Sequence, residues 1–122
     1  MNTASKEFNF NQLTRVDVEV GKGDESYEEA VMITDEETID VLRKIFKEIQ
    51  WEPNAEPKMA RMEDVKATLF FEYDKNMPER LVEYEIWFNQ SNGTATIMSN
   101  NEIEGFGTLD KDHAQTLERI FR

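Results

Sequence analysis

Two runs of strict alternation constrain this chain more than any other feature in it. Val65, Ala67, Leu69, Phe71 and Tyr73 recur at every second position, as do Val82, Tyr84, Ile86 and Phe88. A period of two puts each set on one face of a β-strand, and these residues are the expected core. A slip of one residue in the second run would bury Glu83 and Glu85 and expose Tyr84, Ile86 and Phe88. At roughly 1.5 to 3 kcal/mol for each large side chain, that slip costs about 5 to 9 kcal/mol. Total stabilities are only about 5 to 15 kcal/mol, so the register of this run is strongly specified.

The segments around these runs extend the sheet. Asp74-Lys75-Asn76-Met77-Pro78 is a turn by composition, since Asp and Asn accept local backbone bonds and Pro cannot donate to a ladder. Asn92-Gly93 tolerates positive φ and suits a type I′ hairpin turn before a third strand from Thr94 to Ser99. A fourth strand is expected from Ile103 to Thr108, with Gly105 and Gly107 weakening it. Nearer the start, Leu13 to Val20 alternates with Val16, Val18 and Val20 on one side, then turns at Gly21-Lys22-Gly23-Asp24. Tyr27 to Ile33 reads as the returning strand of a hairpin whose tip carries Asp24, Glu25, Glu28 and Glu29.

Two helices complete the pattern. Thr34 and Glu37 stand at capping-box spacing, and Ile39, Leu42, Ile45, Phe46 and Ile49 form a stripe at helical spacing that ends before Pro53. Early acids and later bases suit the helix dipole. Asp110 caps a second helix to Phe121, with Ala114, Leu117, Ile120 and Phe121 facing inward. Between the first helix and the sheet, Glu52 to Asp64 is a long irregular connection, able either to close over something or simply to cross the surface. The expected class is α+β: an antiparallel sheet in β-β-α-β-β-β-β-α order with two helices packed on it. Residues 1–12 read as a flexible tether and 13–122 as a single domain.

At 122 residues the chain buries about two thirds of its unfolded surface without metal or disulfide. It has no cysteine, which removes thiolate nucleophiles and thiolate metal sites. No apolar run is long enough to span a bilayer, and no signal peptide pattern is present. The net charge is −12, from 26 acidic and 14 basic residues, which repels nucleic acid and anionic lipid and is available to steer a basic partner.

Chemistry has little to start from. His113 is the single histidine, in the first turn of a helix whose dipole disfavours an imidazolium. With no Cys and one His, a zinc site cannot be assembled. Asp74, Asn76 and Glu85 fit places one, three and twelve of a calcium loop, but Pro78 and Glu79 break its middle. No phosphate-binding glycine pattern exists, and the two glycosylation sequons coincide with the Asn92-Gly93 turn. No metal, cofactor or catalytic residue is therefore expected. One feature remains: Phe70 and Trp87 alternate with Glu83 and Glu85 on the face opposite the core. That arrangement predicts an aromatic pair rimmed by carboxylates, either open as a ligand-binding face or covered by the first hairpin or the last helix. If open, Trp87 would stack a cationic or sugar-like ligand.

With Ile33-Thr34-Asp35 opening the helix, Tyr84-Glu85-Ile86-Trp87-Phe88 as central strand, Gly93 to Met98 as its partner and Ala114-Gln115-Thr116-Leu117 in the final helix, the chain from Leu13 to Phe121 resembles the YhfM-like small lipoproteins of bacilli. The resemblance implies an extracytoplasmic, uncharacterised domain of a Gram-positive cell, membrane-anchored by an N-terminal lipid. Asn2 to Lys6 then fits the polar tether that follows a lipidated cysteine, a residue this chain lacks. The expected function is a non-enzymatic binding domain for an unknown protein or small ligand, touching the membrane only through that anchor. The alternative is a cytoplasmic, immunity- or inhibitor-like acidic protein that binds a basic protein. An enzyme using Glu83 and Glu85 as paired carboxylates, about 7 Å apart along a strand, is the weakest reading.

Overall fold

A computed structural model describes residues 9–55 and 58–122 of the chain. The elements are β1 (Leu13–Val20), β2 (Val31–Ile33), α1 (Glu36–Phe46), β3 (Gln50–Glu52), β4 (Val65–Phe71), β5 (Arg80–Phe88), β6 (Ala95–Ser99), β7 (Phe106–Leu109) and α2 (Lys111–Phe121). All strand pairings are antiparallel, in the spatial order β2-β1-β4-β5-β6-β7-β3. The class and order are those the alternation implies, with the short β3 added after the first helix.

The two alternating runs form neighbouring strands. Val65 faces Ile86, Ala67 faces Tyr84 and Leu69 faces Val82. These six side chains are buried, and they join Ile39, Leu42, Ile45 and Phe46 of α1 and Ala114, Leu117 and Phe121 of α2 in one core. Both helices thus contribute to the core on the inner side of the sheet, and the alternate residues of every strand point to the other side. Tyr73 is the exception among the expected core residues. It lies past the end of β4 and is 40% exposed, its ring stacked on Phe71 and its hydroxyl accepting from Asn9 N at 2.9 Å.

Several boundaries differ from the expected ones for identifiable reasons. Asp35, not Thr34, caps α1: its carboxylate accepts from Thr38 N at 3.0 Å, and a negative cap suits the helix dipole better than a hydroxyl does. The helix stops at Phe46, the amides of Glu48 and Ile49 bond back to Ile45 and Phe46, and the chain enters β3, so Ile49 is buried from outside the helix. Of the expected 27–33 strand only Val31–Ile33 pairs with β1, and Tyr27 makes a single bridge to Gly21. Residues 9–12, expected to belong to the tether, instead form a 3-10 turn capped by Asn9. Its Phe10 ring packs 5.7 Å from Phe46 and 6.0 Å from Phe71. Residues 1–8 lie outside the described residues.

The two glycines that weakened the last strand have a packing role. A Cβ on Gly107 would sit 2.5 Å from Ile49 Cγ2 and 2.7 Å from Trp51 Cε3, so the missing side chain is what lets β3 lie against β7. Gly105 has φ +70° and passes within similar reach of Pro53. Gly107→Ala should therefore lower the free energy of unfolding by about 1 to 3 kcal/mol in urea titrations. Stability equal to that of the parent would show that β3 is not packed there.

Candidate functional site

Because the helices cover one face, the outward residues form a continuous second face whose rows are fixed by register. One row crosses five strands as Glu19, Lys66, Glu85, Met98 and Phe106. The next carries Asp17, Thr68 and Glu83, and a third Arg15, Phe70 and Leu81. Glu83 and Glu85 are thus brought together as the sequence implies, and with Met98, Ser99 and Asn100 they line a cleft of about 180 Å³.

The two aromatics do not form a pair. Phe70 is level with Leu81, whereas Trp87 lies six residues further along β5, about 20 Å away at strand rise. Trp87 is also only 4% exposed, so it offers no stacking surface. Its cover is neither the first hairpin nor α2 but the end of the long 52–64 connection. Trp87 Nε1 donates to Arg61 O at 2.8 Å, Arg61 donates to Asp64 at 2.6 and 3.0 Å, and Asp64 accepts from Phe88 N at 2.7 Å. Burial pushes the Asp64 carboxyl up, but the bonds from Arg61 and Phe88 and the charges of Arg61 and Arg122 together hold it below the usual range. Phe70 is half-buried, and its ring already carries the Arg15 guanidinium at 4.4 Å from the centroid.

The same connection places a carboxylate that sequence reasoning missed. Glu63, 8% exposed, accepts a short hydrogen bond from the Tyr27 hydroxyl and lies beside Glu85. The Glu85 carboxyl is pushed above the ordinary glutamate range, first by burial, then by the charges of Glu63 and Glu83 and a hydrogen bond with Glu63, with Lys66 opposing. The bond to Glu63 likewise raises the Tyr27 hydroxyl. Lys66 Nζ stands 4.6 Å from the centroid of the Tyr27 ring and 3.9 Å from Glu83. Three carboxyls gathered about Glu85 against a single Lys66 are a local excess of negative charge on an otherwise ordinary sheet face.

A second carboxylate is enclosed on the other side. Glu104 accepts from the Tyr84 hydroxyl at 2.9 and 3.0 Å and from Ser99 Oγ at 2.8 Å. Tyr84 is fully buried between Phe46 and Trp51, and burial followed by the nearby Glu104 charge pushes its hydroxyl up. Glu104 borders a cavity of about 260 Å³ with Phe10, Lys47, Trp51 and Ile103. A tyrosine within a core run signals such a partner, because a buried hydroxyl needs one.

The remaining candidates are structural. His113 Nδ1 lies 2.8 Å from Asp110, the cap of its own helix, and among the described residues no hydroxyl is bonded to its ring. Asp74, at the head of the broken calcium frame, accepts from Asn76 N and from Met77 N in a turn. No group of His, Asp or Glu among the described residues is arranged to hold a metal ion, and no described helix is long and apolar enough to cross a membrane.

Together these features define an acidic α+β domain with one face covered by helices and one carboxylate-rich face turned outward. No protein-family model matches the chain, and no curated protein does. Among solved structures, the crystal structure of a thioesterase-like protein from Clostridium sporogenes is similar over 93% of this chain and 98% of that one. The TM-score is 0.56 at 20% sequence identity, a likeness of fold.

The Glu85 shift has a definite sign. A carboxyl held above its unfolded value binds its proton more tightly in the folded state, so stability falls as pH rises from the ordinary glutamate value of about 4.3 through the raised one. Glu85→Gln should therefore raise Tm relative to the parent near neutral pH, and the gain should vanish by about pH 4. A difference constant across that range would place Glu85 in an unperturbed setting.

Proposed function

We propose that this chain is the non-enzymatic binding domain of a small lipoprotein, and that its outward face accepts a cationic group of a partner protein or small ligand between Glu83 and Glu85. The observation that carries the reading is the crowding of the Glu63 and Glu83 carboxylates around Glu85 on the outward face, with Glu83 and Glu85 lining one cleft. A cation placed there offsets the charges that hold the Glu85 carboxyl above its ordinary range, so its binding favours the ionised form of Glu85. The net charge of −12 supports the same reading by steering cations toward the surface. Phe70 contributes a half-buried edge to this face, and Trp87 serves as its buried floor at one end.

The resemblance to YhfM-like lipoproteins supports a place outside the membrane of a Gram-positive cell, with the lipid as anchor and the acidic domain standing off anionic headgroups. Expressed from its native gene, the protein should then sediment with membranes and incorporate labelled palmitate. Recovery wholly from the cytosol would favour the immunity-like alternative, in which the same acidic surface neutralises a basic protein.

The shared fold with a thioesterase-like protein, together with Glu104 beside a cavity lined also by Phe10, Lys47, Trp51 and Ile103, favours a second reading as a hydrolase of thioesters. The two are separated by experiment. Titration with 1,5-diaminopentane should shift the backbone resonances of Glu83, Glu85 and Met98, with affinity rising as pH is raised above the ordinary glutamate value of about 4.3 and falling about tenfold in Glu83→Gln. Thiol release from acyl-coenzyme A substrates that disappears in Glu104→Gln, with no resonance shifts on the outward face, would replace the binding reading by the hydrolase.

A further inference from the structure

The sheet ends on one side at β2, which pairs with β1 through Val16 to Ile33, Asp17 to Met32 and Val18 to Val31 and has no strand beyond it. Its outer row of backbone donors and acceptors is therefore unpaired among the described strands. Edge strands are commonly blunted by shortness, Lys, Pro or a bulge; β2 is short, at three residues, and has none of the other three. Val31 is 60% exposed and Met32 63%, and as neighbours in a strand they point to opposite faces. An added strand would meet an apolar side chain on each face.

The flanks determine what can add. Residues 23–42 hold eight acidic side chains and no Lys or Arg. Asp24, Asp35, Glu36 and Asp40 are engaged by Ser26, Thr38, Arg43 and Lys44. Glu25, Glu28, Glu29 and Glu37 form no ion pair within the described residues. A second copy of the chain is disfavoured: antiparallel pairing of β2 with itself about Met32 brings Glu28 opposite Glu36 and Glu29 opposite Asp35, and like charges facing each other destabilise a ladder. The same flanks attract an extended segment carrying Lys or Arg.

We propose that the outer edge of β2 is a docking site for an extended peptide of a basic partner, one that alternates cationic and apolar residues and joins the sheet as an eighth strand. Backbone pairing supplies the affinity, Val31 and Met32 supply apolar contact, and Glu28, Glu29 and Glu37 select positive charge. The proposal rests on the chain being a binding domain and is independent of the cleft at Glu83 and Glu85.

The test uses the full chain and a fluorescein-labelled six-residue peptide of alternating Lys and Val, followed by anisotropy and by amide hydrogen exchange. Saturable binding is expected, with exchange at residues 31–33 slowed at least tenfold and no binding by the alternating Glu and Val peptide. Met32→Lys should weaken binding tenfold or more, whereas Gln90→Lys, the same charge change on an exposed turn, should weaken it less than twofold. Slowed exchange at residues 31–33 reports the edge, whereas resonance shifts of Glu83, Glu85 and Met98 report the cleft, so failure of the cleft reading and failure of this one are separable. Equal losses in Met32→Lys and Gln90→Lys, equal binding by a peptide interrupted with Pro, or unchanged exchange at 31–33 in the saturated complex would each overturn the proposal. So would a concentration-dependent dimer of the free chain that protects the same amides.

Discussion

The pairing of β4 with β5 is the constraint from which the rest of this molecule follows. With Ala67 opposite Tyr84, every apolar residue of both runs faces the helices, and every intervening residue faces away. That one registration places Glu85 between Lys66 and Met98, brings Asp64 level with the end of β5 so that it receives the Phe88 amide, and buries the Tyr84 hydroxyl where only Glu104 and its surroundings can satisfy it. A shift by one residue would invert all three arrangements together.

What the sequence made legible is the part governed by local period. The faces of 65–71 and 82–88 and the helix capped by Asp110 are each specified by residues within a few positions of one another. The turn at Asn92-Gly93, by contrast, is not the expected type I′, since Gly93 alone of the pair has positive φ (+78°) and its amide bonds back to Asn89 O at 2.8 Å in a longer loop. What the sequence hid depends on contacts between distant segments. β3 is three residues long, too short for alternation to announce it, and it forms because Gly107 leaves room for Trp51. Phe70 and Trp87 share a face, but only the pairing across residues 72–79 shows that they lie far apart along it. Glu63 belongs to a connection with no period, and its importance comes from the position of that connection over the sheet.

Hydrogen bonding explains how the end of the long connection, from Arg61 to Asp64, is held against the sheet. Trp87 on an outward face would present a large apolar surface to water, and its indole N–H requires an acceptor once that surface is covered. The Arg61 carbonyl supplies it, the Arg61 side chain is held by Asp64, and Asp64 in turn accepts from the Phe88 amide. Arg122, at the end of α2, approaches the same carboxylate at 3.9 Å. One partly buried acid thereby ties the connection, the central strand and the C-terminus together, and this is why the connection ends in a fixed position beside Glu85.

The two enclosed glutamates show how setting separates structural from responsive chemistry. Glu104 accepts hydroxyl bonds from Tyr84 and Ser99, which tie it into the core. Glu63 has one hydroxyl donor and a neighbouring carboxyl, and Glu85 has Glu63 and Glu83 against a single opposing Lys66. Ionisation of Glu85 works against those neighbours, and an added positive charge beside it is favourable. The group left in electrostatic debt is the one on the outward face, which is the physical reason for locating recognition there and not in the better-formed carboxylate environment of the interior.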